Sequence, residues 1–150
     1  MEVECLMVYH SIDRVKGLSI SAEIFHCKPI NHYVAAVCVG SNVVLYIDSL
    51  DPGSEPLEEV RKQIEASFDL DLKYSIKSVL CQKQKLSDCL VFAAAHLDAL
   101  LSGEDLSRIR FNQKTLRSYL VRSILGKTLH FPFSRCKNRG EVKVYSKNRQ

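Results

Sequence analysis

The chain's clearest pattern is a pair of apolar runs flanking a small polar break. Residues 32–39, HYVAAVCV, are apolar at nearly every position, the pattern of a central strand covered on both faces. GSN at 40–42 interrupts the run as a turn, and VVLYIDS at 43–49 follows, rich in β-branched residues. Two such runs around a short glycine-containing break predict a β-hairpin. Upstream, AEIFHC at 22–27 reads as a short strand, ended by CKPIN with Pro29 as the breaker. Residues 1–20 carry no clear pattern.

Beyond the hairpin the period changes. DPGSEP is a loop, and PLEEVRKQIEASF at 56–68 fits an amphipathic helix, with Pro56 near its first turn and Ser54 as its cap. LKYSIKSVLCQ at 72–82 alternates and predicts a strand. Ser87 or Asp88 then caps a helix running from about residue 89 to 102, with Gly103 as its stop. A last helix is expected at 112–125, between Asn112 as cap and Gly126 as stop. Strands, helix, strand and helices in that order give an α+β class.

A chain of 150 residues is the size of one domain with a sizeable core. At 46% hydrophobic and 25% charged, the composition is that of an ordinary globular protein. The longest apolar stretches, YVAAVCV and CLVFAAAHLDALL, are too short or too interrupted to span a bilayer. The start, MEVECLMVYHS, lacks the basic opening of a signal peptide. An intracellular protein of the nucleus or cytoplasm is expected, without membrane contact. None of the six cysteines forms a CxxC pair, so neither a disulfide framework nor a zinc site is expected. Residues 134–150 set Arg135, Lys137, Arg139, Lys143, Lys147 and Arg149 against the single acid Glu141. That segment reads as a solvated basic tail, able at most to touch nucleic acid weakly.

Candidate chemistry emerges when the hairpin is folded. With the turn at Gly40–Asn42, His32 faces residues 49–51 and Asp48 faces residues 33–35. An imidazole and a carboxylate therefore meet at one end of the hairpin, where the carboxylate can hold the ring's tautomer and stabilise its charged form. Polar residues marking two strand ends would give the same spacing. Cys89 falls in the first turn of the second expected helix, where free N–H groups and the helix dipole favour a thiolate. Taken alone it reads better as a small core residue, a reading that weakens once His32 and Asp48 are set beside it: a thiol nucleophile needs a base, and the base an orienter. Gln82 and Gln84, just upstream, carry amides that can donate to a developing oxyanion.

The ordered segments EIFHCKPINHYVAA, VVLYIDSL, QKQKLSDCLVFAAA, LLSGEDLSRIRFNQKTLRSYL and FPF resemble the ubiquitin-like-protein-specific (SUMO/Ulp) cysteine proteases. The likeness is closest to the divergent branch found in transposon-derived and domesticated genes, and it runs from about residue 21 to 133. The resemblance implies a papain-like cysteine protease fold of the SUMO-protease/adenain type, a central, mostly antiparallel sheet with flanking helices. It implies His32 as general base, Asp48 as orienter, Cys89 as nucleophile and a glutamine, preferably Gln84, as oxyanion donor, with no metal and no cofactor. The implied substrate is a peptide or isopeptide bond after the C-terminus of a ubiquitin-like modifier; a catalytically weak module that binds such a modifier is the alternative. The expected layout is a protease domain at 1–133, short before its histidine, then the basic tail, the whole a monomer. Tyr33 stands where the family has tryptophan, Leu90 where it has glycine, and Gln84 is about one residue closer to the cysteine than usual. Leu90 is expected to pack inward, because LVFAAA reads as a buried helix. Asp88 is expected to cap that helix.

Overall fold

The computed structural model describes residues 19–137 and 143–148. Its strands are β1 (Ile20–Cys27), β2 (His32–Val39), β3 (Val43–Ile47), β4 (Lys73–Ser78), β5 (Ile109–Phe111), β6 (Phe133–Arg135) and β7 (Lys143–Asn148). The helices are α1 (Glu58–Ser67), α2 (Cys89–Leu101) and α3 (Gln113–Gly126). The fold is α+β. Five strands form one sheet in the order β1-β2-β3-β4-β7, and β5 and β6 pair separately. All neighbours in the main sheet are antiparallel except β3 and β4. The parallel pair requires a crossover, and α1 lies within it.

The hairpin register follows from its turn. Gly40 takes φ 64, in the left-handed region that residues with a Cβ rarely adopt, and the strands then pair with Ala35 opposite Ile47 and Val39 opposite Val43. From Val34 to Val39 β2 is apolar at every position, and both its faces are covered. Ala35, Val37 and Val39 join Leu45 and Ile47 in packing against Val91, Phe92, Ala95 and Ala99 of α2. Val34, Ala36 and Cys38 join Val44, Tyr46 and Ile76 against Val60 and Ile64 of α1. α2 ends as expected at Gly103, whose φ of 87 lets the chain reverse, with its N–H bonded to the Leu100 carbonyl at 3.0 Å.

Several boundaries differ from the sequence reading. α1 starts at Glu58 with Leu57 at its N-cap and no side-chain cap, so Ser54 does not cap it. Pro56 keeps the chain before it extended, and the first helical bond forms from Arg61 to Leu57. At α3 the cap is Asn112, whose side chain accepts from the Lys114 N–H. Its end is one residue later than expected: Gly126 is still helical and Lys127 turns left-handed at φ 56. Where the sequence predicts a solvated tail after residue 133, the described residues include two paired strands. β6 closes on β5, and β7 adds to the edge of β4. The unpatterned residues 1–18 lie outside the described residues. Among those described, no helix is long and apolar enough to cross a membrane.

Candidate active site

β2 begins at His32 and its antiparallel neighbour β3 ends at Ile47, so both termini sit at one end of the sheet. β4 runs parallel to β3 and leaves the sheet at that same end. Its continuation returns along the β3 exit: the Val79 N–H bonds the Tyr46 carbonyl at 2.8 Å, and the Gln84 N–H bonds the Ser49 carbonyl at 2.7 Å. That path delivers the chain to the first residue of α2, Cys89. Topology thus gathers three sequence-distant segments at one sheet end.

There His32 Nε2 donates to Asp48 Oδ1 at 2.7 Å, and both residues are buried. The same carboxylate is fixed from its other sides. Oδ1 also accepts the Leu50 N–H at 2.9 Å, and Oδ2 accepts the Tyr46 hydroxyl at 3.3 Å. Burial and the neighbouring Asp48 charge push the Tyr46 phenol well up, so it stays a donor. With Nε2 committed to Asp48, the imidazole has Nδ1 left for another partner, and the Cys89 side chain is close enough to act on the ring's protonation. The Asp48 hydrogen bond, Asp48's charge and the Cys89 side chain together hold His32 above the ordinary histidine range, against the opposing effect of burial. Cys89 itself is half-buried, whereas Cys27, Cys38 and Cys81 are buried. A base held by a carboxylate, with a half-buried thiol at a helix start beside it, is an arrangement suited to nucleophilic chemistry.

The glutamines divide. Gln82 clamps the Phe111 backbone, accepting its N–H at 2.6 Å and donating to its carbonyl at 3.1 Å. Both ends of its amide engage the β5 backbone, which makes Gln82 a structural brace, though one amide hydrogen is left over. Gln84 accepts the Ser49 hydroxyl at 2.5 Å and donates one amide hydrogen to the Leu86 carbonyl at 2.9 Å. An amide nitrogen carries two hydrogens, so this side chain retains donor capacity beside the site.

Two expectations near the cysteine are corrected. Asp88 occupies the N-cap position of α2 but makes no side-chain cap. Its carboxylate reaches α3 instead, accepting from Gln113 Nε2 at 2.8 Å and from Arg117 Nε at 2.7 Å. Gln113 and Arg117 hold Asp88 below the usual carboxylate range, and so ionised. Leu90 does not pack inward; it is 42% exposed. α2 buries Val91, Phe92, Ala95 and Ala99, and the rotation of successive residues turns position 90 outward.

Sequence reasoning missed three residues that shape the site: Ser49, Tyr46 and Gln113. Besides Asp88, Gln113 accepts the Lys85 N–H at 3.0 Å and donates to the Lys85 carbonyl. Its spacing from Arg117, four residues along α3, was the available signal, since such residues share a helix face. Among the described residues no group of three or more His, Cys, Asp or Glu could hold a metal ion. Comparison of the chain with protein-family models, with curated proteins and with solved structures gives no match.

Proposed function

We propose that the chain is a cysteine-type peptidase of papain-like fold. The observation that carries this reading is the buried His32, hydrogen-bonded through Nε2 to Asp48, with the half-buried Cys89 side chain close enough to act on its ring. In the proposed reaction His32 takes the Cys89 thiol proton and the thiolate attacks the substrate carbonyl carbon. The oxyanion is held by the Cys89 backbone N–H, one of the unbonded donors of a helix start, and by the remaining Gln84 amide hydrogen. The His32 imidazolium then gives its proton to the leaving amine, and water activated by the same ring releases the acyl group from sulfur. Asp48 fixes the ring and favours its charged form.

The sequence resemblance extends the proposal to substrate: a peptide or isopeptide bond after the C-terminus of a ubiquitin-like modifier, met in the nucleus or cytoplasm by a monomeric enzyme. A second reading, a protease-like module that binds a modifier with little turnover, is favoured by Leu90, a half-exposed bulky side chain in the residue after the nucleophile. A ubiquitin-like protein bearing a C-terminal electrophile separates the two. An adduct at Cys89, lost in His32→Ala, supports the peptidase; reversible binding without adduct supports the module; absence of both removes the modifier from the proposal.

A further inference from the structure

Three leucines stand exposed on the segments that carry Asp48 and Cys89. Leu50 is 44% exposed and gives its N–H to Asp48; Leu90, next to Cys89, is 42% exposed; Leu86, three residues before Cys89, is 90% exposed. Leu86 has a second peculiarity. Its φ is 59, in the left-handed region where a bulky side chain is uncommon. Glycine or asparagine would meet that backbone with less strain. So exposed a leucine contributes almost no burial to the domain either. Neither the local conformation nor the core therefore accounts for leucine at this position.

The strained conformation is held from outside. Gln84 bonds the Leu86 carbonyl at 2.9 Å, and the Gln113 amide grips both the N–H and the carbonyl of Lys85. Gln84 is in turn bonded to Ser49, the neighbour of Leu50. The loop before the nucleophile is thus tied on one side to α3 and on the other to the segment carrying Leu50. Strain maintained by several converging bonds is a feature of ligand-contacting positions.

From this geometry we infer that Leu50, Leu86 and Leu90 form an apolar rim that selects a peptide with a bulky aliphatic side chain close to the bond presented to Cys89. The inference rests on the peptidase reading for its occupant: a peptide whose carbonyl reaches Cys89 lies beside the two segments that carry these leucines. The rim binds an aliphatic side chain by burial, while a segment made only of glycine and small polar residues offers it nothing to cover. Leu86 is the specificity-determining member, because its position is fixed before substrate arrives.

Methyl NMR on the full chain carrying Cys89→Ala, with leucine methyls labelled, tests the rim without requiring catalysis. The probes are serine-glycine hexapeptides with a single leucine placed at each position in turn, and the leucine-free parent. At least one leucine peptide is expected to shift the Leu50, Leu86 and Leu90 methyl signals and to bind about tenfold or more tightly than the parent, the scale of burying one aliphatic side chain. Leu86→Ser, a change at an exposed position, should abolish that preference while leaving the remaining methyl spectrum in place. Equal response to leucine and parent peptides, no response to any, or a preference that survives Leu86→Ser would each overturn the inference. Iodoacetamide alkylation of Cys89, with and without His32→Ala, reports separately on the peptidase reading. A His32-dependent thiol without leucine preference would discard the rim alone. A leucine preference beside an inert thiol would keep the rim and discard the chemistry.

Discussion

Replacing Asp48 by asparagine removes the charge beside His32 and nearly preserves the shape. The amide oxygen of the variant can still accept from His32 Nε2 and from the Leu50 N–H, as Asp48 Oδ1 does at 2.7 and 2.9 Å. What is lost is the charge on the acceptor, which both strengthens the buried bond, the largest influence raising the His32 pKa, and attracts the ring's proton directly. Hydrogen bonds to charged groups contribute about 1.5–3 kcal/mol and neutral ones about 0.5–1.5, so D48N should destabilise by roughly 1–2 kcal/mol. The pH dependence carries a definite sign. Wild-type His32 binds its proton more tightly folded than unfolded, so its contribution is fully present below the unfolded value near pH 6.5 and fades as pH rises through the higher folded value. In D48N the burial that opposes protonation remains while the main support is gone, so the folded imidazole should titrate lower. Each tenfold change in its proton affinity is worth about 1.4 kcal/mol. D48N should therefore lose more stability at about pH 5.5 than at about pH 8.5. Urea denaturation at both values, with NMR titration of the His32 ring, measures it. An unchanged ring midpoint, or equal losses at the two pH values, would refute the account of how Asp48 acts.

Cys89 should be alkylated by iodoacetamide before the buried Cys27, Cys38 and Cys81, and about a hundredfold more slowly in His32→Ala; mass-spectrometric mapping checks both, and Cys136, which is also half-buried, is the internal control. If Cys136 reacts faster than Cys89, activation by His32 fails. Leu90→Gly opens the mouth of the site and should speed labelling by a glycine-only peptide electrophile, which has no side chain for the rim to hold, at a helix-propensity cost of up to about 1 kcal/mol; a lower melting temperature with no gain in rate would show that Leu90 does not obstruct. Gln82→Ala leaves the buried Phe111 N–H and carbonyl without their clamp and should destabilise by roughly 1–3 kcal/mol, whereas a brace irrelevant to β5 would leave the denaturation midpoint unmoved.

The meeting of His32 with Asp48 could be read from the chain because a short turn converts sequence spacing into register, and register fixes which strand ends adjoin. The start of α2 was legible for a similar local reason: a polar Ser-Asp pair gives way abruptly to an apolar run. The tie from Asp88 to Gln113 and Arg117 was not, since it depends on how α3 lies against the start of α2, and no local pattern encodes that angle. Leu90 misled because an all-apolar run conceals helical phase; only packing decides which leucine faces out. β7 was missed for the opposite reason. Its lysines resemble a solvated tail, yet an edge strand needs its backbone more than its side chains, and charged residues suit a position open on one side.

That edge strand governs what the sheet can do with other chains. β4 is inserted between β3 and β7, so residues Ser75 to Ser78 have a paired neighbour on each side. Without β7, β4 would present a free row of N–H and C=O groups, a template for any extended chain, including another copy of itself. The lysine-rich segment therefore acts as a guard on assembly. Because it lies far along the chain from its partner, β4 must remain unsealed while the intervening helices form, and long-range pairings of this kind close late. The interval before β7 docks is when the folding molecule is most open to unwanted strand addition.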